Sequence, residues 1–181
     1  MRTLKCVLAF TIVAMAFGAA TMAPSEGAAP VFPNETGQNL NGKTFNLPAD
    51  FQAPASFVFI AYTRPQQSQV DSWKGVVADA RKRYPAIGEY EVPTLSRGNS
   101  LFRGFIDGGM RNGIQDPAVR AVTITLYIDK RAFNSSLGIT SEDDIAVLLV
   151  KPDGTVLWRS SGAYADGKSA GLDAALKALN P

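Results

Sequence analysis

From Leu40 onward, the spacing of hydrophobic and polar positions alternates between strand-like and helix-like stretches. Lys43–Leu47 fits a short strand. Ser56-Phe57-Val58-Phe59-Ile60-Ala61-Tyr62 is an unbroken apolar run of strand length, the pattern of a central strand buried on both faces. Val70, Trp73, Val77, Ala80 and Tyr84 then recur at spacings of three and four, which predicts one helix over Gln66–Tyr84, ended by Pro85 and Gly88. Tyr90–Leu95 reads as the next strand. Leu101–Met110 reads as a weaker helix with Leu101, Phe102, Phe105 and Ile106 on one side. Val119–Ile128 alternates as a strand, with Val122, Ile124, Leu126 and Ile128 on one face. A short helix over Arg131–Leu137, closed by Gly138, precedes a buried strand at Ile145–Val150. Lys151-Pro152-Asp153-Gly154 is a turn that returns Thr155–Arg159 as a hairpin partner. Asp166–Leu179 is the last helix, with Leu172, Leu176 and Leu179 facing inward.

The resulting order is β-α-β-α-β-α-β-β-α. Strands separated by helices form parallel crossover units, and the terminal hairpin adds an antiparallel edge. The expected class is α/β, a mixed sheet with helices on both faces and a hairpin plus helix at the C-terminus.

The first residues follow another logic. Arg2 and Lys5 make a basic start, Cys6–Ala20 carries no charge, and Gly18-Ala19-Ala20 are small. This is the three-part form of a secretory signal peptide. The apolar run is shorter than the roughly 18–20 residues of a spanning helix. Residues 1–20 are therefore expected to be a signal peptide, 21–38 a flexible linker rich in Pro and Gly, and 39–181 the domain. The expected location is exported, periplasmic or secreted, with no transmembrane span after cleavage.

Composition then removes whole classes of chemistry. The chain has no histidine and one cysteine, Cys6, which leaves with the signal peptide. There is no imidazole base, no Ser-His-Asp triad, no internal disulfide and no Cys-x-x-Cys pair. The formal charge of +2 falls to zero once Arg2 and Lys5 are gone. A neutral chain has no global field to draw nucleic acid. No cofactor and no metal are expected.

Three stretches carry a resemblance over residues 40–180. The first is the Phe57–Tyr62 strand running straight into a helix. The second is Leu126-Tyr127-Ile128-Asp129 followed by Phe133 and Leu137-Gly138-Ile139. The third is the hairpin Val147-Leu148-Leu149-Val150-x-x-Asp153-Gly154-x-Val156-Leu157-Trp158. Together they resemble the thioredoxin-like superfamily in its exported members. Such families place a redox or peroxidatic cysteine where the first long helix begins. Here that position reads Tyr62-Thr63-Arg64-Pro65-Gln66-Gln67, without a thiol. Thioredoxins also carry a cis-proline before the hairpin strand. Alignment on Asp153-Gly154 puts that position near Ile145, after Glu142-Asp143-Asp144. The C-terminal half is also similar to the mitochondrial ATP-synthase assembly-factor family and to small periplasmic thioredoxin-like proteins with degenerate sites. Those likenesses imply binding or chaperone-type roles.

Two groups are candidates for a site. Tyr62, Thr63, Arg64, Gln66 and Gln67 lie where a strand end meets a helix start, a place where free N–H groups and the helix dipole favour an anion. The plainer alternative is an ordinary capped start with Gln66 and Gln67 in water. Arg103 and Arg111 belong to an arginine set with Arg97 and Arg120, interleaved with Gly104, Gly108, Gly109 and Gly113. That set is either an anion-binding loop or a solvated insertion. The leading expectation is a non-redox binding or assembly domain with a protein partner in the cell envelope. A rival is an enzyme acting on an anionic small molecule, which requires Arg64, Arg103 and Arg111 to converge on one pocket. A third reading is a passive structural domain of the envelope.

Overall fold

The computed structural model describes residues 30–179; the expected signal peptide and the start of the expected linker lie outside them. Seven strands form one sheet: β1 Glu35–Asn39, β2 Thr44–Leu47, β3 Ser56–Ala61, β4 Gly88–Ser96, β5 Ile124–Ile128, β6 Ala146–Val150 and β7 Val156–Ser161. Their spatial order is β2-β1-β5-β4-β3-β6-β7. β3, β4 and β5 run parallel, while β6 is antiparallel to β3, β7 to β6, β1 to β5 and β2 to β1. The helices are α1 Gln67–Ser72, α2 Lys74–Arg83, α3 Arg103–Gly113, α4 Pro117–Val122, α5 Lys130–Ser136 and α6 Leu172–Lys177. None of the described helices is long and apolar enough to cross a membrane.

Strand β3 shows why an unbroken apolar run was needed. Successive side chains of a strand point to opposite faces. Val58 and Ile60 enter a core with Phe32, Leu126, Phe133 and Leu148. Phe57 and Phe59 enter a second core with Trp73, Val77, Leu149 and Leu176 on the other face. The second core is covered by α1, α2 and α6, the first by α5 and the N-terminal segment.

The structure departs from several expectations. The part of the linker within 31–38 is built into the domain: Phe32 is buried, Val31 bridges Thr155, and Glu35–Asn39 is a strand between β2 and β5. The predicted Gln66–Tyr84 helix is divided at Trp73, whose amide donates to Val70 rather than to the i−4 carbonyl, and whose buried indole donates to Gly162 O at 2.9 Å. Val119–Val122 is helix, not strand, because Asp116 accepts from Ala118 N at 2.8 Å and Pro117 occupies the first turn. The last helix starts at Leu172, since Gly167 and Gly171 hold positive φ angles of 86° and 76° that interrupt the earlier turns. The crossover from β5 to β6 is not parallel, because β6 pairs antiparallel with β3.

The weaker helix departs most. A 3₁₀ stretch over Arg97–Phe102 leads into α3, and on the predicted apolar side Leu101, Phe102 and Phe105 face solvent while Ile106 is half-buried. Leu101 is 87% exposed, Phe102 64% and Phe105 85%.

Candidate functional site

The parallel direction of β3, β4 and β5 brings their carboxyl ends to one edge of the sheet. Tyr62–Gln67 follows β3 there, Arg97–Phe102 follows β4, and Asp129 follows β5. Ligands of α/β sheets gather at such an edge.

Gln66 organises the first loop. It is buried, and its Oε1 accepts from Tyr62 N at 2.7 Å and Thr63 N at 3.2 Å. Its Nε2 donates to Glu142 O at 2.7 Å. The N–H groups of Tyr62 and Thr63 are thus taken by a side chain of the same loop. The expectation of Gln66 in water fails for the same reason. A signal for it stands in the sequence: Thr63-x-x-Gln66 is the spacing of a capping box, in which the glutamine reaches back to the chain before the helix. Helix α1 spans only Gln67–Ser72, so little helix dipole is available to an anion.

Tyr62 opens a second network. Its hydroxyl donates to Asn134 Oδ1 at 2.8 Å, and Asn134 Nδ2 donates to Glu142 Oε1 at 2.9 Å. Lys130 Nζ pairs with Glu142 Oε2 and lies 5.5 Å from the Tyr62 ring centroid. Burial, reinforced by the Glu142 charge, pushes the Tyr62 phenol well above the usual tyrosine range. The phenol is thus held in its protonated form as the donor to Asn134.

The remaining expected residues do not meet. Arg64 and Thr63 are exposed, and Arg64 has no ion pair among the described residues. Gln67 Nε2 donates weakly to Asp71 Oδ1 at 3.3 Å and Glu91 Oε1 at 3.4 Å. Burial raises the Glu91 carboxyl, partly offset by that bond. Arg103 stacks on Tyr127, 4.7 Å from the ring centroid, while Tyr127 donates to the buried Asp107 at 2.8 Å. Arg111 Nε donates to Leu40 O at 2.9 Å. Arg103 and Arg111 are eight positions apart on α3, about 12 Å along its axis. Arg103 marks the carboxyl end of β5 and Arg111 the amino end, where Leu40 follows β1.

A cavity of about 960 Å³ opens at the same edge, between Ser96-Arg97, the start of α5 and Gly138–Glu142. Arg97 and Arg131 line it without ion partners among the described residues, and Arg64, Arg103 and Arg111 do not line it. The pocket that the enzyme reading required is not formed by those three arginines. Glu142-Asp143-Asp144 is engaged residue by residue: Glu142 by Lys130, Asp143 by Ser141 Oγ at 2.7 Å and Asp144 by Gln69 Nε2 at 2.9 Å. No group of three or more potential metal ligands occurs among the described residues. Their only cis peptide bond is Leu47–Pro48, not one at Ile145.

No protein-family profile matches the chain, and no curated protein matches it in sequence. Solved structures are similar in fold. An uncharacterised conserved protein from Geobacillus kaustophilus superposes with a TM-score of 0.54 at 13% identity, over 83% of this chain and 82% of that one. A candidate electron transport protein from Aquifex aeolicus VF5 gives 0.58 at 9% identity, over 84% and 98%. BsSco, of the Sco family of cytochrome c oxidase assembly proteins, gives 0.51 at 15% identity, over 84% and 92%. At these identities the likeness speaks for fold alone. Strand order, the helix after β3 and the terminal hairpin agree with it: the chain has the thioredoxin-like fold.

Proposed function

We propose that this protein is an exported, non-redox binding or assembly-type domain that meets a protein partner at the carboxyl edge of its sheet. The observation that carries the reading is Gln66. Where related folds begin their first helix with a thiol, this chain seats a buried amide that closes the loop onto Tyr62, Thr63 and Glu142. The loop is a fixed surface rather than a reactive one. Export is supported by the basic start and the uncharged Cys6–Ala20 run.

The test is an insulin-disulfide reduction assay on the full chain and on Cys6→Ser. Both should match the uncatalysed rate. Catalysis that is present in the parent and lost in Cys6→Ser would show that the one thiol works, and would remove the non-redox reading.

The cavity beside Arg97 and Arg131 favours a second reading, an anionic small ligand held there. It predicts that Arg97→Ala or Arg131→Ala abolishes the thermal stabilisation given by a bound carboxylate or phosphate compound.

A further inference from the structure

Helix α3 is turned inside out. Its one buried residue is Asp107, tied to Tyr127 Oη, and Arg103 stacks over the same ring. On the open side stand Leu101, Phe102 and Phe105, at 87%, 64% and 85% exposure. Four glycines, Gly104, Gly108, Gly109 and Gly113, have open space where a Cβ would be. Glycine weakens a helix, and nothing apolar from α3 enters the two main cores. A segment with poor helix propensity thus spends its polar contacts on the fold and leaves its largest apolar groups in water. Large exposed apolar side chains gathered in one short segment are the material of an interaction surface.

Charge states what would cover it. Arg97, Arg103 and Arg111 are all exposed along this segment, and its one carboxylate, Asp107, is turned inward. Arg103 is fixed over Tyr127, next in the chain to Phe102, and Arg111 is fixed by Leu40 O farther along α3, so both guanidinium groups stand at set places on this segment. Fixed guanidinium groups suit carboxylates, and aromatic residues with arginine are the usual composition of a protein interface. A second copy of this chain is a poor occupant, because a two-fold contact would oppose arginine to arginine. An anionic bilayer is drawn by clusters of about four to eight basic residues, more than this face offers.

We infer that Leu101, Phe102 and Phe105, with Arg103 among them and Arg111 farther along α3, form the docking surface for an acidic partner segment with apolar anchors. The inference rests on the binding reading above and adds the chemistry of the partner.

Two short amphipathic peptides test it, with leucines at the same positions and either glutamates or lysines between them. Each is titrated into the full chain. The glutamate peptide should bind at least about tenfold more tightly, with the gap closing as salt rises. Phe105→Ser or Leu101→Ser should weaken it by about tenfold or more, and Arg103→Glu with Arg111→Glu should reverse the preference. Equal affinity for both peptides, or no binding of either, would overturn the inference. So would concentration-dependent dimers, or co-sedimentation with phosphatidylglycerol vesicles, that Phe105→Ser abolishes without any peptide preference. If the peptides fail while crosslinking at Thr63 still captures a protein, the binding reading stands and the chemistry assigned to its partner falls.

Discussion

Gln66 and Glu142, 76 positions apart, are joined by a 2.7 Å hydrogen bond from Gln66 Nε2 to the Glu142 carbonyl oxygen. The bond pins the loop after β3 to the segment before β6. The same side chain satisfies Tyr62 N and Thr63 N. Gln66→Ala leaves these backbone groups without their partner and should cost about 2–3 kcal/mol in urea unfolding. A loss below about 0.5 kcal/mol would mean that the loop is held by other contacts.

Tyr62 gives a pH dependence with a defined sign. Its folded phenol ionises well above its ordinary value of 10.0, through burial first and the Glu142 charge second. The stabilisation linked to this shift is complete below pH 10 and is lost as pH rises toward the folded value. Unfolding free energy should therefore decline from about pH 10 upward, and Tyr62→Phe should reduce the decline. Tyr127, raised by burial and by its bond to Asp107, contributes in the same direction, so the double variant should flatten the curve further. A slope unchanged in Tyr62→Phe would remove Tyr62 as a source.

Gly37 tests whether residues 31–38 belong to the fold. A Cβ there would stand 2.7 Å from Ile124 Cγ2 and 2.8 Å from Leu126 Cδ2, both buried in β5. Gly37→Ala should destabilise by about 1–3 kcal/mol, the range for overpacking a filled core. A true linker would tolerate it without effect.

Phe105 and Phe133 separate surface from core. Phe133 is 1% exposed and packs edge-on against Phe32 at 5.5 Å. Phe133→Ala should cost about 3–5 kcal/mol, and Phe105→Ser should stay within about 0.5 kcal/mol of the parent. A large loss in Phe105→Ser would make α3 a core helix and remove its docking role.

These residues also show what was legible in the chain. Unbroken apolar runs located β3 and β6 closely, because each is buried along its length, while alternation and turn residues located β4, β7 and α5. The same pattern grouped Leu101, Phe102 and Phe105 on one side, and their exposure was not legible, since spacing reveals an apolar face but not whether anything covers it. It read 119–128 as all strand because the alternation ran through a capped turn that Asp116 and Pro117 already announced. The position of Tyr62–Gln67 between β3 and the helix that follows was legible from the end of the apolar run. The distant partners of Gln66 and Tyr62, Glu142 and Asn134, lie more than seventy positions away and leave no local trace. Arg103 and Arg111 read as one set because they are near in sequence, yet α3 carries them to opposite ends of β5.

The central claim is that the carboxyl edge of a thiol-free thioredoxin-like sheet is a binding surface. Site-specific photo-crosslinking of the full chain in its native setting tests it most directly. Probes belong at Thr63 and Phe105 on that edge and at Val31, which is 55% exposed and bridges Thr155 at the opposite end of β3. Both edge positions should capture the same protein, and Val31 should not. Equal capture at Val31, or none at Thr63 and Phe105, would contradict the claim.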